Sequence, residues 1–305
     1  MKIWQNKWLI LFILMLTWGS SFILIKHSVK AFSPMQVGAL RLTIAGLVLV
    51  AFGIPNLKLI PKSRMIWVLA SGCLGNFIPM FLFPIAQQKV SSAAAGILDS
   101  LVPIFVLILG FLCFKIRSSW TQVLGATIGF FGAIILIGYN GEGQSNDIFH
   151  SMLIILATLM YGMSALIISR YLADIPSFRL SSAVFTIWFG PALLILGFSG
   201  FFKDFTGSPE QMKGLGYIAI LGLFGTAVAM ILFYNLIRLT SAVFASSVTY
   251  LMPLVAVIWG LLDGEKLTWE HAIGGLLILL GVYLIQGRTR KKEAKINPNQ
   301  SGLAL

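Results

Sequence analysis

The sequence predicts an all-α integral membrane protein of ten transmembrane helices in two inverted five-helix repeats. Three observations carry that prediction. Of 305 residues, 58% are hydrophobic and only 10% charged, with a mean hydropathy of +0.91, whereas a soluble domain carries about 25% charged residues. The apolar residues fall in runs near the roughly 20 residues that a membrane-spanning helix needs, joined by loops too short for a soluble domain. The second half of the chain also repeats landmarks of the first. Disorder, collagen and disulfide scaffolds are excluded by the same composition.

The runs give spans at 8–26, 34–54, 65–87, 92–114, 119–139, 148–170, 178–201, 214–237, 241–262 and 268–287. The first follows Lys2 and Lys7 as a signal peptide would. It is longer than the ~7–15 residues of such a core and no small-x-small cleavage site follows, so a retained helix is expected. The second begins at Pro34 and encloses Arg41. Stretches 180–202, 214–237 and 239–262 hold no charge at all. Gly125, Gly129 and Gly132 of the fifth span are expected to pack tightly within the fold. Trp67, Trp120 and Trp269, near span ends, read as interfacial anchors. Cys73 and Cys113 sit in apolar runs without metal-like spacing and are expected as small buried hydrophobes. His27, His150 and His271 read as unremarkable surface residues.

The net charge of +12 points to lipid head groups rather than nucleic acid, because the basic residues cluster between uncharged runs. With the N-terminus in the cytoplasm, fifteen Lys and Arg face inward and six outward, which with Arg41 accounts for all 22. The inward set includes Lys58, Lys62, Arg64, Lys115, Arg117 and Arg238; the outward set is Lys26, Lys30, Lys89, Lys203, Lys213 and Lys266. Both termini are therefore expected inside a cytoplasmic, or inner, membrane. The acids Glu142, Asp147, Asp263 and Glu265 fall in outward loops. The expected division is a first repeat at 1–143, a second at 144–288, and a basic cytoplasmic tail at 289–305.

A shift of 150 residues superimposes Gly72, Gly75, Met80, Phe83, Ser91, Pro103 and Gly110 on Gly222, Gly225, Met230, Phe233, Ser241, Pro253 and Gly260. After a one-residue deletion, Trp120, Gly125 and Gly132 meet Trp269, Gly274 and Gly281. Earlier in the repeat, Trp18-Gly19 faces Tyr161-Gly162. Five helices per repeat is odd, so the second copy enters the membrane inverted. Inverted repeats are a hallmark of secondary transporters, with the substrate between the halves near the midplane.

The run Trp18-Gly19-Ser20-Ser21-Phe22 resembles the helix-1 motif of the drug/metabolite transporter superfamily, EamA type. So do Arg41 after Pro34, Ser91-Ser92-Ala93-Ala94-Ala95 followed by Pro103, and its echo from Ser241-Ala242 to Pro253, closed by Gly264-Glu265. The resemblance spans 8–285. It implies a ten-helix carrier of duplicated five-helix units that exports or exchanges small metabolites through a central cavity, with Arg41 structural. The stretch Phe83-Pro84-Ile85-Ala86-Gln87-Gln88 and the acid at Asp99 depart from the family pattern.

Arg41 and Asp99 are the two full charges at membrane depth. Each costs about 2.5–3.5 kcal/mol at a helix centre, so each must face protein or water. Three arrangements remain open: an ion pair between them, Asp99 as a proton-coupling or cation site, or Arg41 reaching a head group with Asp99 alone in the cavity. Pro103 and Pro253 are expected to interrupt the fourth and ninth helices, freeing the carbonyls of Asp99 and Thr249. Helical spacing groups Ser92, Gly96, Asp99 and Pro103 on one face, and Ser246, Thr249, Tyr250 and Pro253 on another. Asn76, Met80 and Gln87 share a third, Thr226, Met230 and Tyr234 a fourth. The candidate substrate-binding residues are Trp18, Asn76, Met80, Asp99, Tyr161, Tyr234, Thr249 and Tyr250. Such a lining suits an amphipathic, amino-acid-like molecule.

No nucleotide-binding loop, zinc-type histidine pair or nucleophile elbow appears. The sequence therefore predicts no enzyme, no catalytic residue, no metal and no cofactor. Its expected partners are a small-molecule substrate, lipid and protons, as a monomer or homodimer. The expected activity is secondary transport, in the exporting direction. The rivals are a channel, a non-transporting scaffold subunit, or an exchanger of nucleotide-linked or phosphorylated metabolites.

Overall fold

The computed structural model describes residues 5–116, 119–138, 140–141, 144–145 and 147–296. Lys2, Arg117, Glu142 and the tail beyond Ile296 lie outside the described residues. Helices α1 (Lys7–Ala31), α2 (Pro34–Lys58), α3 (Lys62–Ala86) and α4 (Ser92–Phe114) precede α5 (Trp120–Gly138). Helices α6 (Ile148–Leu172), α7 (Ser177–Phe198), α8 (Pro209–Leu239) and α9 (Ala242–Leu262) precede α10 (Trp269–Ile296). Eight of these are long and apolar enough to cross a membrane; the apolar parts of α5 and α10, Trp120–Ile135 and Trp269–Gly281, are shorter. A two-residue antiparallel pair, Asn140–Gly141 with Gln144–Ser145, lies between α5 and α6.

Capping side chains mark several helix starts. Ser33 and Gln36 form a capping box ahead of Pro34, and Ser91, Ser208 and Ser241 each accept a backbone N–H three residues on. Two boundaries differ from the sequence reading. Helix α1 continues past 26 to Ala31, because Lys26 is paired with acids rather than ending the helix. Helix α8 begins at Pro209, and its 31 residues rise about 46 Å at 1.5 Å each, more than a bilayer core requires. The basic run after 288 starts as a continuation of α10.

The long helices are interrupted, and the interruptions shape the interior. A π turn occupies Cys73–Phe77 in α3 and another Leu223–Val228 in α8, starting 150 residues apart; α6 ends in a third, Ile168–Leu172. Helix α1 kinks at Ser20. In α4, Ser100 and Leu101 bond back three residues to Ile97 and Leu98, and the helix restarts at Val102 with Pro103 where no N–H is needed. The expected break at Pro253 is not found: Val248–Leu262 runs through it. The α9 interruption lies earlier, at Ser246–Ser247. There Ser247 bonds to Phe244, Thr249 to Ser246, and the Ser246 hydroxyl to the Val243 carbonyl. Serine hydroxyls competing for backbone groups account for this better than the proline does.

Two close helix pairs frame the bundle, α5 against α10 and α2 against α7. A Cβ on Gly132 would sit 2.7 Å from the Gly274 carbonyl oxygen, and one on Gly281 would sit 2.6 Å from the Gly129 amide. The glycine stripe of α5 thus meets another within the same fold. Trp67 is stacked on Tyr171 at 4.0 Å, and Trp120 and Trp269 are exposed. Other expectations are corrected. Cys73 is half-buried and Cys113 exposed. His271 is buried against Thr268, and His27 Nε2 lies 2.9 Å from Asp263.

Gly281→Ala should lower the thermal midpoint in detergent by several degrees, since backbone, not a flexible side chain, stands in the way. Gly216→Ala, with nothing within 4 Å of the new Cβ, should be neutral or slightly stabilising from helix propensity. Fluorescence-detected size exclusion after heating compares them; equal midpoints would contradict the packing.

Candidate functional site

The interruptions converge on one central cavity. Its lining falls into pairs that share the repeat offsets. Gly75 and Gly225, Met80 and Met230, Phe83 and Phe233, Asp99 and Thr249, and Val102 and Met252 are each 150 residues apart. Trp18 and Tyr161, and Ser21 and Ser164, are each 143 apart. Arg41, Phe22, Ile25, Tyr234 and Ser246 complete the wall. Nine of the nineteen lining residues are aromatic or Met, with Phe83 stacked on Tyr161 at 5.9 Å and Trp18 edge-on to Phe233 at 5.0 Å.

The α8 π turn explains how a guanidinium is tolerated here. A π turn leaves a carbonyl without its usual helical donor. The Gly225 carbonyl is filled from other helices instead, accepting from Trp18 Nε1 at 2.9 Å and Arg41 Nη2 at 3.4 Å. Arg41 Nε donates to Thr226 Oγ1 at 2.7 Å, and that hydroxyl donates to the Leu221 carbonyl. The α3 π turn plays a related part: Asn76 Nδ2 donates to the Tyr234 hydroxyl at 2.9 Å, fixing a phenol on the cavity wall.

Asp99 ends the first segment of α4, is 3% exposed, and its Oδ1 has no hydrogen-bond partner. Arg41 and Asp99 form no ion pair with each other, because Arg41 is committed to the α8 turn. The Tyr161 phenol lies within electrostatic reach of both. Both charges come from the first half, and the Asp99 equivalent is Thr249, so an otherwise paired cavity is electrically lopsided.

Of the residues expected at the site, Trp18, Arg41, Met80, Asp99, Tyr161, Tyr234 and Thr249 line the cavity. Asn76 stands behind Tyr234, and Tyr250, Pro103 and Pro253 are not in the lining. Ser21, Phe83, Ser164 and Phe233 were missed as site residues, although extending the repeat offsets from Trp18 and Met80 would have found them. Glu265, read as an outward loop acid and as the close of the Gly264-Glu265 motif, was also missed as a site residue. Its side chain is 1% exposed, and Oε1 accepts from the Ser92 amide at 2.9 Å and the Ser92 hydroxyl at 2.6 Å. Oε2 accepts from the Ala93 amide at 3.0 Å, and Lys26 Nζ joins Glu265 and Asp263 at 2.8 and 2.7 Å. Burial works to raise the Glu265 carboxyl, but these donors outweigh it and hold the group below the usual carboxylate range.

The model of the EamA-like transporter family matches residues 6–138 and again 149–287. The chain is 26% identical to an uncharacterized transporter of Archaeoglobus fulgidus, over 92% of this chain and 99% of that one. It is 28% identical to the uncharacterized inner membrane transporter YedA of Escherichia coli K12, over 91% and 92%. It is 23% identical to a protein of Streptantibioticus cattleyicolor named a probable terminal-alkyne amino-acid exporter, over 96% and 98%. A crystal structure with 20% identity, matching 93% of this chain and 98% of its own, superimposes with a TM-score of 0.63 and so shares the fold. With a family model covering both halves, this multi-pass membrane protein belongs to the EamA-like transporter family.

Proposed function

We propose that the protein is a secondary transporter that exports a small, amphipathic, amino-acid-like metabolite across the cytoplasmic membrane. On this reading two inverted five-helix halves, near 1–143 and 144–288, alternate access to the cavity between them, all ten helices span the membrane, and both termini lie inside. The paired lining supports a site between the halves, which is where inverted-repeat carriers hold substrate.

One observation carries the substrate class. Arg41 and Asp99 line the same cavity with opposite charge and do not pair with each other. A zwitterion would satisfy both, its carboxylate meeting Arg41 and its ammonium Asp99, while an apolar side chain lies among the Met and aromatic walls. Arg41 is the one cation in that lining, too little for a phosphate ester carrying two charges. With substrate absent, Asp99 is free to exchange a proton, which gives a route to coupling.

Proteoliposomes tested with a mixed pool of radiolabelled apolar amino acids should show saturable counterflow. Asp99→Asn should reduce it about tenfold to a hundredfold, the loss expected for a charged hydrogen bond of about 1.5–3 kcal/mol, and should abolish any response to an imposed pH gradient. Saturable flux equal in both proteins would return Asp99 to a structural role. Flux that never saturates would favour a channel. Thr226→Val should weaken transport less, since it removes one of the two contacts that orient Arg41 but leaves the charge.

A further inference from the structure

The two ends of the bundle are tied in different ways. At one end Glu265 bridges the halves. Its backbone belongs to the second, where its N–H closes the end of α9 on the Gly260 carbonyl at 2.8 Å. Its carboxylate grips the first, through the start of α4 at Ser92 and Ala93 and through Lys26 on α1. Directly inward of this knot, Gln87 Nε2 donates to the Phe22 carbonyl at 2.8 Å, joining α3 to α1. Phe22 and Ile25, four residues and one residue before Lys26 on α1, are cavity lining.

The equivalent turn of the first half is alike in its left-handed residue: helix α4 ends on Lys115, φ 55°, as α9 ends on Gly264, φ 78°, and the next N–H closes on Gly110, six residues back at 2.9 Å, where Glu265 closes on Gly260, five back. That next residue is Ile116, so the turn presents an apolar side chain where its counterpart presents a carboxylate. Among the described residues, the ionic tie between halves at that end is Arg64 with Asp174 at 3.1 Å, whose side chains are 37% and 69% exposed, and Arg64 also donates to the Tyr171 carbonyl. An exposed pair of this kind holds weakly, whereas Glu265 has a buried carboxylate and charge-assisted bonds.

We infer that Glu265 is a positioning residue that latches the cavity shut at its own end of the bundle, and that opening to that side requires Lys26 and the start of α4 to separate from it. This rests on the alternating-access reading, in which that end faces outward. A transporter latched on one side rests open, or readily opened, toward the other. In an exporter that leaves the empty site available to cytoplasmic substrate, with release outward as the latched step.

The test reads which side reaches the cavity. Ser21→Cys, in a background carrying Cys73→Ser and Cys113→Ser, is labelled with a membrane-impermeant maleimide added to either face of oriented vesicles. The parent should label slowly from the Glu265 side. Glu265→Gln and Lys26→Gln should each raise that rate about tenfold without raising the rate from the opposite face. Lys26→Gln leaves Glu265 on Ser92 and Ala93, so it decides the matter if Glu265→Gln fails to accumulate. One-sided labelling in the parent that Lys26→Gln leaves unchanged overturns the latch alone. Equally fast labelling of the parent from both faces overturns alternating access as well. No substrate is needed, so the result stands apart from the amino-acid assignment.

Discussion

A guanidinium at membrane depth has to be hydrogen-bonded, and in this chain a defect in another helix supplies the acceptors. Arg41 on α2 reaches Thr226 and the Gly225 carbonyl of α8 because the π turn there leaves backbone oxygen uncommitted. Had Asp99 supplied that acceptor, the two charges would have neutralised each other and the cavity would be electrically quiet. Using backbone and hydroxyl acceptors stabilises the cation without consuming the carboxylate. The polarity of the cavity therefore follows from where one helix departs from ideal geometry.

The same constraint explains why the interruptions gather in the middle of the bundle. An unpaired backbone group is costly in lipid, so each π turn or serine kink must face protein or a polar cavity. The π turns of α3 and α8 do so through Asn76–Tyr234 and through Arg41 and Trp18 with Gly225. The regular helix pairs, α2 with α7 and α5 with α10, have no need of such acceptors and pack by glycine instead. Rigid framing pairs around irregular central helices leave the centre as the part able to rearrange.

Much of this was legible from residue types and spacing. Gly75, Met80, Phe83 and Asp99 and their partners at +150 mark the cavity because an arrangement built twice must place equivalent residues around the shared centre. Helix existence followed from hydropathy, and boundaries erred where a charge was satisfied by tertiary contacts, as with Lys26. The π turns were not legible, since no residue preference separates Cys73–Phe77 from ordinary helix. Proline misled in α9: Pro253 sits inside a continuous helix, while the interruption lies at Ser246–Ser247, where the Ser246 hydroxyl donates to the Val243 carbonyl. The role of Glu265 was hidden for a different reason. A loop acid's value depends on which helix starts beside it, and Ser92 lies 173 residues away.

The repeat is most informative where it fails. Duplication by itself yields two equivalent ends, and a carrier with equivalent ends has no built-in preference for either. Here Asp99 stands where the second half has Thr249, and Glu265 follows the left-handed residue of its turn as Ile116 does in the other half. The first difference places a carboxylate on one wall of the cavity, and the second gives one end an ionic tie with a buried carboxylate that has no counterpart among the described residues of the other. Asp99 sits two turns of α4 from the Ser92 amide that Glu265 holds, so the short segment Ser92–Asp99 joins the two differences.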